Sequence, residues 1–230
     1  MSASPVAGEI ARQESTKAYV LPEQNAISYV IQRFIEITIA LIAMIISSPI
    51  VLLVSLIIRR GTPGPVIFKQ TRVGKGEVAF RFVKFRTLYD DARERWPELY
   101  AYQYTESELD DGFKFKIWND PRVTPQGQWL RKSTLDELPN FWNVLTGDMA
   151  LVGPRPEIPD MLPYYRGEAR LKFKVRPGVT GLAQISGRGR LSFRDTVRLD
   201  VEYVKNRSLF LDIKILALTL YKMVTRDGAF

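Results

Sequence analysis

The hydrophobic pattern is most pronounced near the start of the chain. Residues 37–58 form an uncharged run of 22 residues. As a straight helix this run is roughly 33 Å long, enough to cross a bilayer. Ser47, Ser48 and Pro49 interrupt it in the middle. Proline removes a backbone donor and kinks a helix, and serine hydroxyls can bond the carbonyls that it frees.

The interruption leaves two topologies open for this run. About a dozen apolar residues precede Pro49 and nine follow it, so that each part is too short to span alone. Arg33 lies before the run, and Arg59 and Arg60 follow it. Because positive residues favour the cytoplasmic side, a re-entrant helix with both ends on one face satisfies this pattern. A single kinked spanning helix is the alternative.

The rest of the chain shows shorter periodic patterns. An apolar–basic alternation predicts a half-buried strand over 78–88, with Arg81, Lys84 and Arg86 on its outward side, and a second short strand is predicted over 66–70. Helices are predicted over 89–103, with an interruption near Pro97, and over 133–149, 191–206 and 208–224. The last of these is apolar on most faces, which indicates a core helix or one in the membrane interface. Residues 1–26 are predicted to form a loosely ordered tail.

The amino-acid composition limits which side chains could carry out catalysis. The chain has no histidine and no cysteine, which excludes Ser-His-Asp triads, thiolate chemistry and nearly all zinc sites. Carboxylates, Lys, Arg, Tyr and a carboxylate-bound hard cation such as Mg²⁺ remain. The net charge of +8 favours anionic partners: nucleic acid, anionic lipid or phosphorylated substrates.

Asp136 and Glu137 are the candidate catalytic pair. Their ordinary interpretation is structural, because Thr134 and Glu137 have the spacing of a capping box at a helix start. The functional interpretation rests on the cations nearby in sequence, Arg131 and Lys132. A carboxylate nucleophile beside a carboxylate metal ligand, placed among cations, is what attack on a phosphoryl group requires.

Several arginines are candidate phosphate ligands. Arg155 lies between two prolines, which stiffen its loop and preorganise the guanidinium. Arg176 and Arg188 lie in glycine-rich sequence, where glycine allows the backbone to approach a ligand closely. Surface ion pairs and contact with lipid headgroups are the alternatives for these residues.

Five segments together resemble the monotopic phosphoglycosyl transferases, the bacterial sugar transferase family. They are VIFKQTRVGKG, FVKFRTL, LRKSTLDELPNFWNVLTGDMALVGPRPE, VRPGVTGLAQISGRG and YVKNRSLFLDIKIL. The resemblance implies transfer of a sugar-1-phosphate from a UDP-sugar to undecaprenyl phosphate, with Asp136 as nucleophile and Glu137 as ligand of Mg²⁺. It also implies a re-entrant helix broken at Ser48 and Pro49. The short N-terminal region of this chain is similar to that of the small, minimal members of the family.

The resemblance sets the expected fold class, which is α+β. A re-entrant membrane helix over 27–60 is expected to precede a mainly helical cytoplasmic catalytic domain over 61–230, with a small β element and interfacial amphipathic helices. Substrate phosphates are expected on a set of arginines: Arg86, Arg155, Arg176 and Arg188.

The expected location is the cytoplasmic face of a bacterial inner membrane. The expected partners are a UDP-sugar, undecaprenyl phosphate and membrane lipid, without nucleic acid, and a homo-oligomer is left open. Two rival functions remain: a membrane-anchored basic module that binds polyanions without catalysis, and an assembly protein with one true membrane span.

Overall fold

The computed structural model of the chain describes residues 25–110, 113, 117, 119–187 and 190–225. The predicted tail over 1–26 therefore lies almost entirely outside the described residues, and so does Arg188. The described chain begins with helix α1, Ala26–Gly61, whose first turn is capped by Asn25 Oδ1 accepting from the Ile27 amide at 3.0 Å.

Helix α1 continues through its proline without interruption. Pro49 cannot donate to the carbonyl of Ile45, and Ser48 Oγ donates to that carbonyl instead, at 2.8 Å. The predicted compensation by serine is confirmed. The predicted break at Ser48 and Pro49 does not appear as an interruption of the helix. By length and composition alone, α1 could cross a membrane.

One face of α1 is covered and the rest is exposed. The buried positions recur at spacings of four and seven residues, which place them on a single stripe: Glu36, Ala40, Ser47, Val54 and Ile58. Outside the stripe, large apolar side chains such as Ile45 and Ile46 are exposed. An exposed apolar surface of this extent is typical of contact with lipid.

The N-terminal part of α1 is attached to the remainder of the protein by polar contacts. Glu36 is buried and lies 2.7 Å from the Arg176 guanidinium. Arg33 donates to the Leu145 carbonyl at 2.8 Å. Gln32 Oε1 accepts from Arg207 at 2.9 Å.

The C-terminal part of α1 is attached to the same body by apolar packing. Val54 and Ile58 form a buried cluster with Phe85 and Leu130. Arg86 closes this end of the helix, because its guanidinium donates to the Thr62 carbonyl at 2.9 Å and to the Pro63 carbonyl. The prediction that Arg86 faces outward from a strand is therefore wrong: it follows the strand and is buried.

Two small sheets support the site. Strand β1, Ile67–Val73, pairs antiparallel with β2, Ala79–Phe85, so the predicted β element is confirmed. Strand β3, Ala150–Val152, pairs in parallel with β4, Gly178–Thr180. The Asn143 side chain extends the first sheet, since its amide donates to the Arg81 carbonyl and its Oδ1 accepts from the Val83 amide.

The other described elements are mostly helical. The α-helices that follow α1 are α2, Ala92–Arg95; α3, Glu106–Asp110; α4, Pro125–Ser133; α5, Asn140–Thr146; α6, Leu182–Gly187; α7, Phe193–Asn206; and α8, Leu209–Thr225. Short 3₁₀ segments cover Lys75–Glu77, Pro97–Tyr100, Leu135–Glu137, Pro159–Tyr164 and Gly167–Lys174.

The two helices predicted near the end of the chain are confirmed. The helix predicted over 133–149 is not continuous, because a 3₁₀ turn and Pro139 separate α4 from α5. The main core joins Ala40 of α1 to residues of α5, β3, α7 and α8, so α1 is part of the folded body.

Candidate active site

Asp136 and Glu137 lie on the 3₁₀ turn Leu135–Glu137, directly after a strained residue. Thr134 adopts a left-handed conformation with φ 58°, which is unusual for a β-branched side chain. The predicted capping box is not formed, since Thr134 Oγ1 donates to the Ser133 carbonyl at 2.7 Å. The turn therefore presents the two carboxylates without using either of them as a cap.

Asp136 faces a lysine on the neighbouring strand. Lys84 Nζ of β2 lies 3.8 Å from Asp136 Oδ2, and the Asp136 side chain is only 9% exposed. Burial raises the pKa of Asp136, whereas Lys84 acts in the opposite direction. Burial also lowers the pKa of Lys84 to about 8. Lys84 is thus the closest group that stabilises the charged form of this buried carboxylate.

Arg131 is a second cation beside Asp136, in the last turn of α4. Its Nε donates to Thr87 Oγ1 at 3.2 Å, and its Nη1 lies 3.8 Å from Asp120 Oδ2. Burial lowers the pKa of Arg131, while Asp120 and Asp136 raise it. Sequence reasoning named Arg131 as a cation near the acidic pair without giving it a role, and it placed Lys84 on the outward side of a strand.

Glu137 is held by the arginine from the proline-bounded loop. Arg155 Nη1 donates to Glu137 Oε1 at 2.9 Å, and Glu137 raises the pKa of Arg155. The Arg155 side chain is 49% exposed, so this pair is in contact with solvent. Exposed ion pairs contribute about 0–1 kcal/mol. The pair therefore leaves Glu137 able to contact a cation and Arg155 able to contact a phosphate.

Of the four arginines predicted to bind phosphate, the three within the described residues do not converge on one place. Arg155 contacts the acidic pair, whereas Arg86 closes the end of α1 and Arg176 pairs with Glu36. Arg188 lies outside the described residues. Ser48 and Pro49 lie in the middle of α1, as expected from their sequence position.

Two glycines of the glycine-rich sequence near Arg176, Gly178 and Gly181, lie against backbone. A Cβ on Gly178 would lie 2.1 Å from the Gly153 amide nitrogen, and one on Gly181 would lie 2.2 Å from the Gly153 carbonyl oxygen. The segments on either side of β3 and β4 are therefore packed backbone to backbone, which fixes the base of the Arg155 loop.

A family model described as bacterial sugar transferase matches residues 27–226. The match covers the membrane-type helix, the acidic turn and the Arg155 loop. The chain therefore belongs to the bacterial sugar transferase family.

Curated relatives agree with this assignment. The chain is 42% identical over 182 residues to a UDP-galactose-lipid carrier transferase of Erwinia amylovora, matching 79% of the chain and 37% of that protein. It is 39% identical over 201 residues to the undecaprenyl-phosphate galactose phosphotransferase of Salmonella typhimurium (87% of the chain, 42% of that protein). It is 34% identical over 224 residues to the exopolysaccharide production protein ExoY of Rhizobium meliloti (96% of the chain, 99% of that protein). The chain thus spans less than half of the first two relatives.

Proposed function

We propose that the chain transfers a sugar-1-phosphate from a UDP-sugar to undecaprenyl phosphate. In the first step Asp136 attacks the phosphorus next to the sugar, the bond from that phosphorus to the bridging oxygen breaks, and UMP leaves. In the second step an oxygen of undecaprenyl phosphate attacks the same phosphorus and releases the Asp136 carboxylate. The product is undecaprenyl-diphosphate sugar, formed for polysaccharide synthesis.

The single observation that carries this proposal is the buried Asp136 carboxylate beside Lys84. A carboxyl group attacks as the carboxylate, and Lys84 and Arg131 favour the carboxylate form of Asp136. The same cations oppose the negative charge on the phosphoryl oxygens during transfer. The names of two relatives, which include UDP-galactose and undecaprenyl phosphate, support the two substrates.

The donor set fits Mg²⁺. Among the described residues there is no group of three or more acidic side chains that could enclose a metal. Mg²⁺ commonly binds one or two carboxylates and completes its shell with water and substrate phosphates, so Glu137, with Asp136 adjacent, is sufficient. When bound, the ion neutralises phosphoryl charge. Arg155 donates to Glu137 through Nη1, and its other guanidinium donors would be available to a substrate phosphate.

The packing of α1 supports a position at one face of the membrane. Both ends of α1 contact the same polar body, through Glu36 and Arg176 at one end and through Ile58 and Leu130 at the other. A helix that crossed the bilayer would separate these two contacts by about 30 Å of hydrocarbon. The arrangement favours a monotopic protein over the rival with one true span. The cytoplasmic leaflet is proposed from Arg33, Arg59 and Arg60, because positive residues flank both ends of the apolar run.

A covalent intermediate tests the proposal. Purified protein, a UDP-sugar and Mg²⁺ without undecaprenyl phosphate should release UMP and give a mass increase of one sugar-phosphate on Asp136. Asp136→Asn should give no adduct and almost no turnover, whereas the exposed control Asp91→Asn should behave like the wild type. An excess of EDTA should stop the reaction. Substantial turnover by Asp136→Asn, or adduct formation at another residue, would contradict the assignment.

A further inference from the structure

A buried polar cluster lies behind the Arg155 loop and is not used by the proposed chemistry. It consists of Glu157, Tyr165, Lys172 and Asp200, and is called the Glu157 cluster below. Tyr165 donates its hydroxyl hydrogen to Glu157 Oε2 at 2.7 Å, and Lys172 Nζ donates to the Tyr165 oxygen at 3.2 Å. Lys172 also pairs with Asp200 Oδ2 at 3.0 Å.

The Glu157 cluster is an unfavourable way to fill a protein interior. The Lys172 and Asp200 side chains are 2% and 1% exposed. Burying a charged pair costs desolvation that the pairing often fails to recover, and apolar residues of the same volume avoid this cost. Burial also raises the pKa of the Tyr165 phenol, which stays protonated and able to donate. The arrangement therefore points to a requirement for orientation at Glu157.

Glu157 is joined rigidly to Arg155. The carbonyl of Glu157 accepts from the Val73 amide of β1 at 2.7 Å, and Arg72 donates to the Pro156 carbonyl at 3.2 Å. Only Pro156, whose φ is fixed by its ring, separates Glu157 from Arg155. Glu137 and, more weakly, Glu157 both raise the pKa of Arg155, so the two carboxylates compete for its guanidinium. A Glu157 carboxylate that Tyr165 no longer holds can therefore draw the guanidinium away from Glu137.

We propose that Tyr165, supported by Lys172 and Asp200, is a positioning residue that holds Glu157 and, through it, keeps Arg155 directed at Glu137. The role in catalysis rests on the proposed function, because Arg155 serves the phosphoryl transfer. The role in orienting Arg155 can be measured without any turnover.

Tyr203 provides a matched control for Tyr165. Both tyrosines are 1% exposed, and Tyr203 also donates to a carboxylate at 2.7 Å, that of Asp212 in α8. Replacing either by phenylalanine removes one buried hydroxyl of the same kind, so the two losses of stability should be similar. Their effects on Arg155 should differ.

The first measurement is kinetic. Tyr165→Phe should lower kcat by about tenfold, since a small misplacement of a charged group is costly in catalysis. In an Arg155→Ala background the same change should have almost no further effect, because two residues that act through one interaction are not additive. Tyr203→Phe should change kcat little, and by the same factor in both backgrounds.

The second measurement is chemical and does not need substrate. Phenylglyoxal modifies accessible arginines, and the rate at Arg155 can be followed by peptide mass spectrometry. Tyr165→Phe should increase this rate severalfold, since the pair with Glu137 is loosened, whereas Tyr203→Phe should leave it unchanged. Equal rates in the two variants would overturn the inference. If the wild type forms no product from any UDP-sugar, the proposed function fails while the modification rates still decide the role of Tyr165.

Discussion

At the scale of single residues, Thr134 holds a conformation that its side chain disfavours. Strain of this kind costs about 1–3 kcal/mol. Asparagine tolerates the left-handed region better than threonine does. We therefore expect Thr134→Asn to raise the free energy of unfolding by about 0.5–1 kcal/mol, seen as a higher thermal midpoint in lipid nanodiscs. Ser133→Asn, in the last turn of α4, should give no gain. A lower midpoint for Thr134→Asn would show that the threonine is not strained.

Lys84 is expected to matter for turnover rather than for binding alone. Lys84→Met leaves the buried Asp136 carboxylate without its closest cation, which favours the protonated and unreactive form. We expect kcat to fall by about 100-fold, the size found when one preorganised electrostatic partner is removed. Lys84→Arg should retain more activity. Lys69→Met, an exposed lysine of the adjacent strand, is the control and should leave initial rates unchanged.

The errors of sequence reasoning at single residues have identifiable causes. Arg81 and Lys84 are three positions apart, so they cannot share one face of a strand. Lys84 instead shares the face of Phe82, which is buried, but Phe85 on the face of Arg81 is buried as well. Parity therefore excludes a shared outward face without showing which of the two cations points inward. Arg176 could not be assigned, since its partner Glu36 is 140 positions away in sequence. The acidic pair and Arg155 could be proposed from the sequence because they lie in short contiguous motifs. The structure brings Arg155 into contact with Glu137, and the catalytic roles of these residues stay predictions.

At the scale of elements, the N-terminal part of α1 is attached through a buried ion pair between Glu36 and Arg176. Glu36→Gln leaves the Arg176 charge buried without its carboxylate, which should cost about 3–5 kcal/mol. Arg176→Met should cost less, because Glu36 keeps Arg33 at 3.5 Å. The double variant Glu36→Met/Arg176→Met should recover much of this loss, because neither charge remains.

The measurement for α1 is the thermal midpoint of each variant in the same lipid. The exposed pair of Arg95 and Asp91, 2.8 Å apart, is the comparison, and breaking it should cost less than about 1 kcal/mol. Single variants of Glu36 that unfold at the wild-type midpoint would contradict the role given to the pair.

The junction of β3 and β4 depends on backbone contact. Gly178→Ala places a Cβ 2.1 Å from the Gly153 nitrogen, a distance that only a shift of the strands can relieve. We expect poor folding and loss of UMP release. Gly167→Ala meets no atom within 4 Å and should cost only about 1 kcal/mol for its left-handed φ. Wild-type behaviour of Gly178→Ala would show that the strands can separate.

The elements differ in how well the sequence predicted them. The long helices were predictable for two reasons: α1 and α8 are nearly continuous apolar runs, and α7 buries one face, which sets a helical period. Strands of three residues, such as β3 and β4, carry no visible period and form through tertiary pairing. The 3₁₀ turn that carries Asp136 was read as helix, because acidic residues before an apolar run are equally typical of a helix start.

At the scale of the whole molecule, both ends of α1 should lie on the side of the catalytic body. The chain has no cysteine, so single cysteines can be introduced without background. Ser28→Cys and Arg60→Cys, both exposed at opposite ends of α1, should react with an impermeant maleimide only from the cytoplasmic side. Reaction of Ser28→Cys from the periplasm alone would favour the spanning topology.

The attachment of α1 also fixes an order of assembly. Arg33 bonds a carbonyl 112 positions later, and Gln32 bonds a guanidinium 175 positions later. Synthesis proceeds from the N-terminus, so α1 leaves the ribosome long before either partner exists. Until then Arg33 and Glu36 have to be solvated by water and headgroups, which holds the nascent helix near the membrane surface. Helix α1 is thus synthesised before its partners but docks after them. Its final docking can occur only after Arg207 has been synthesised.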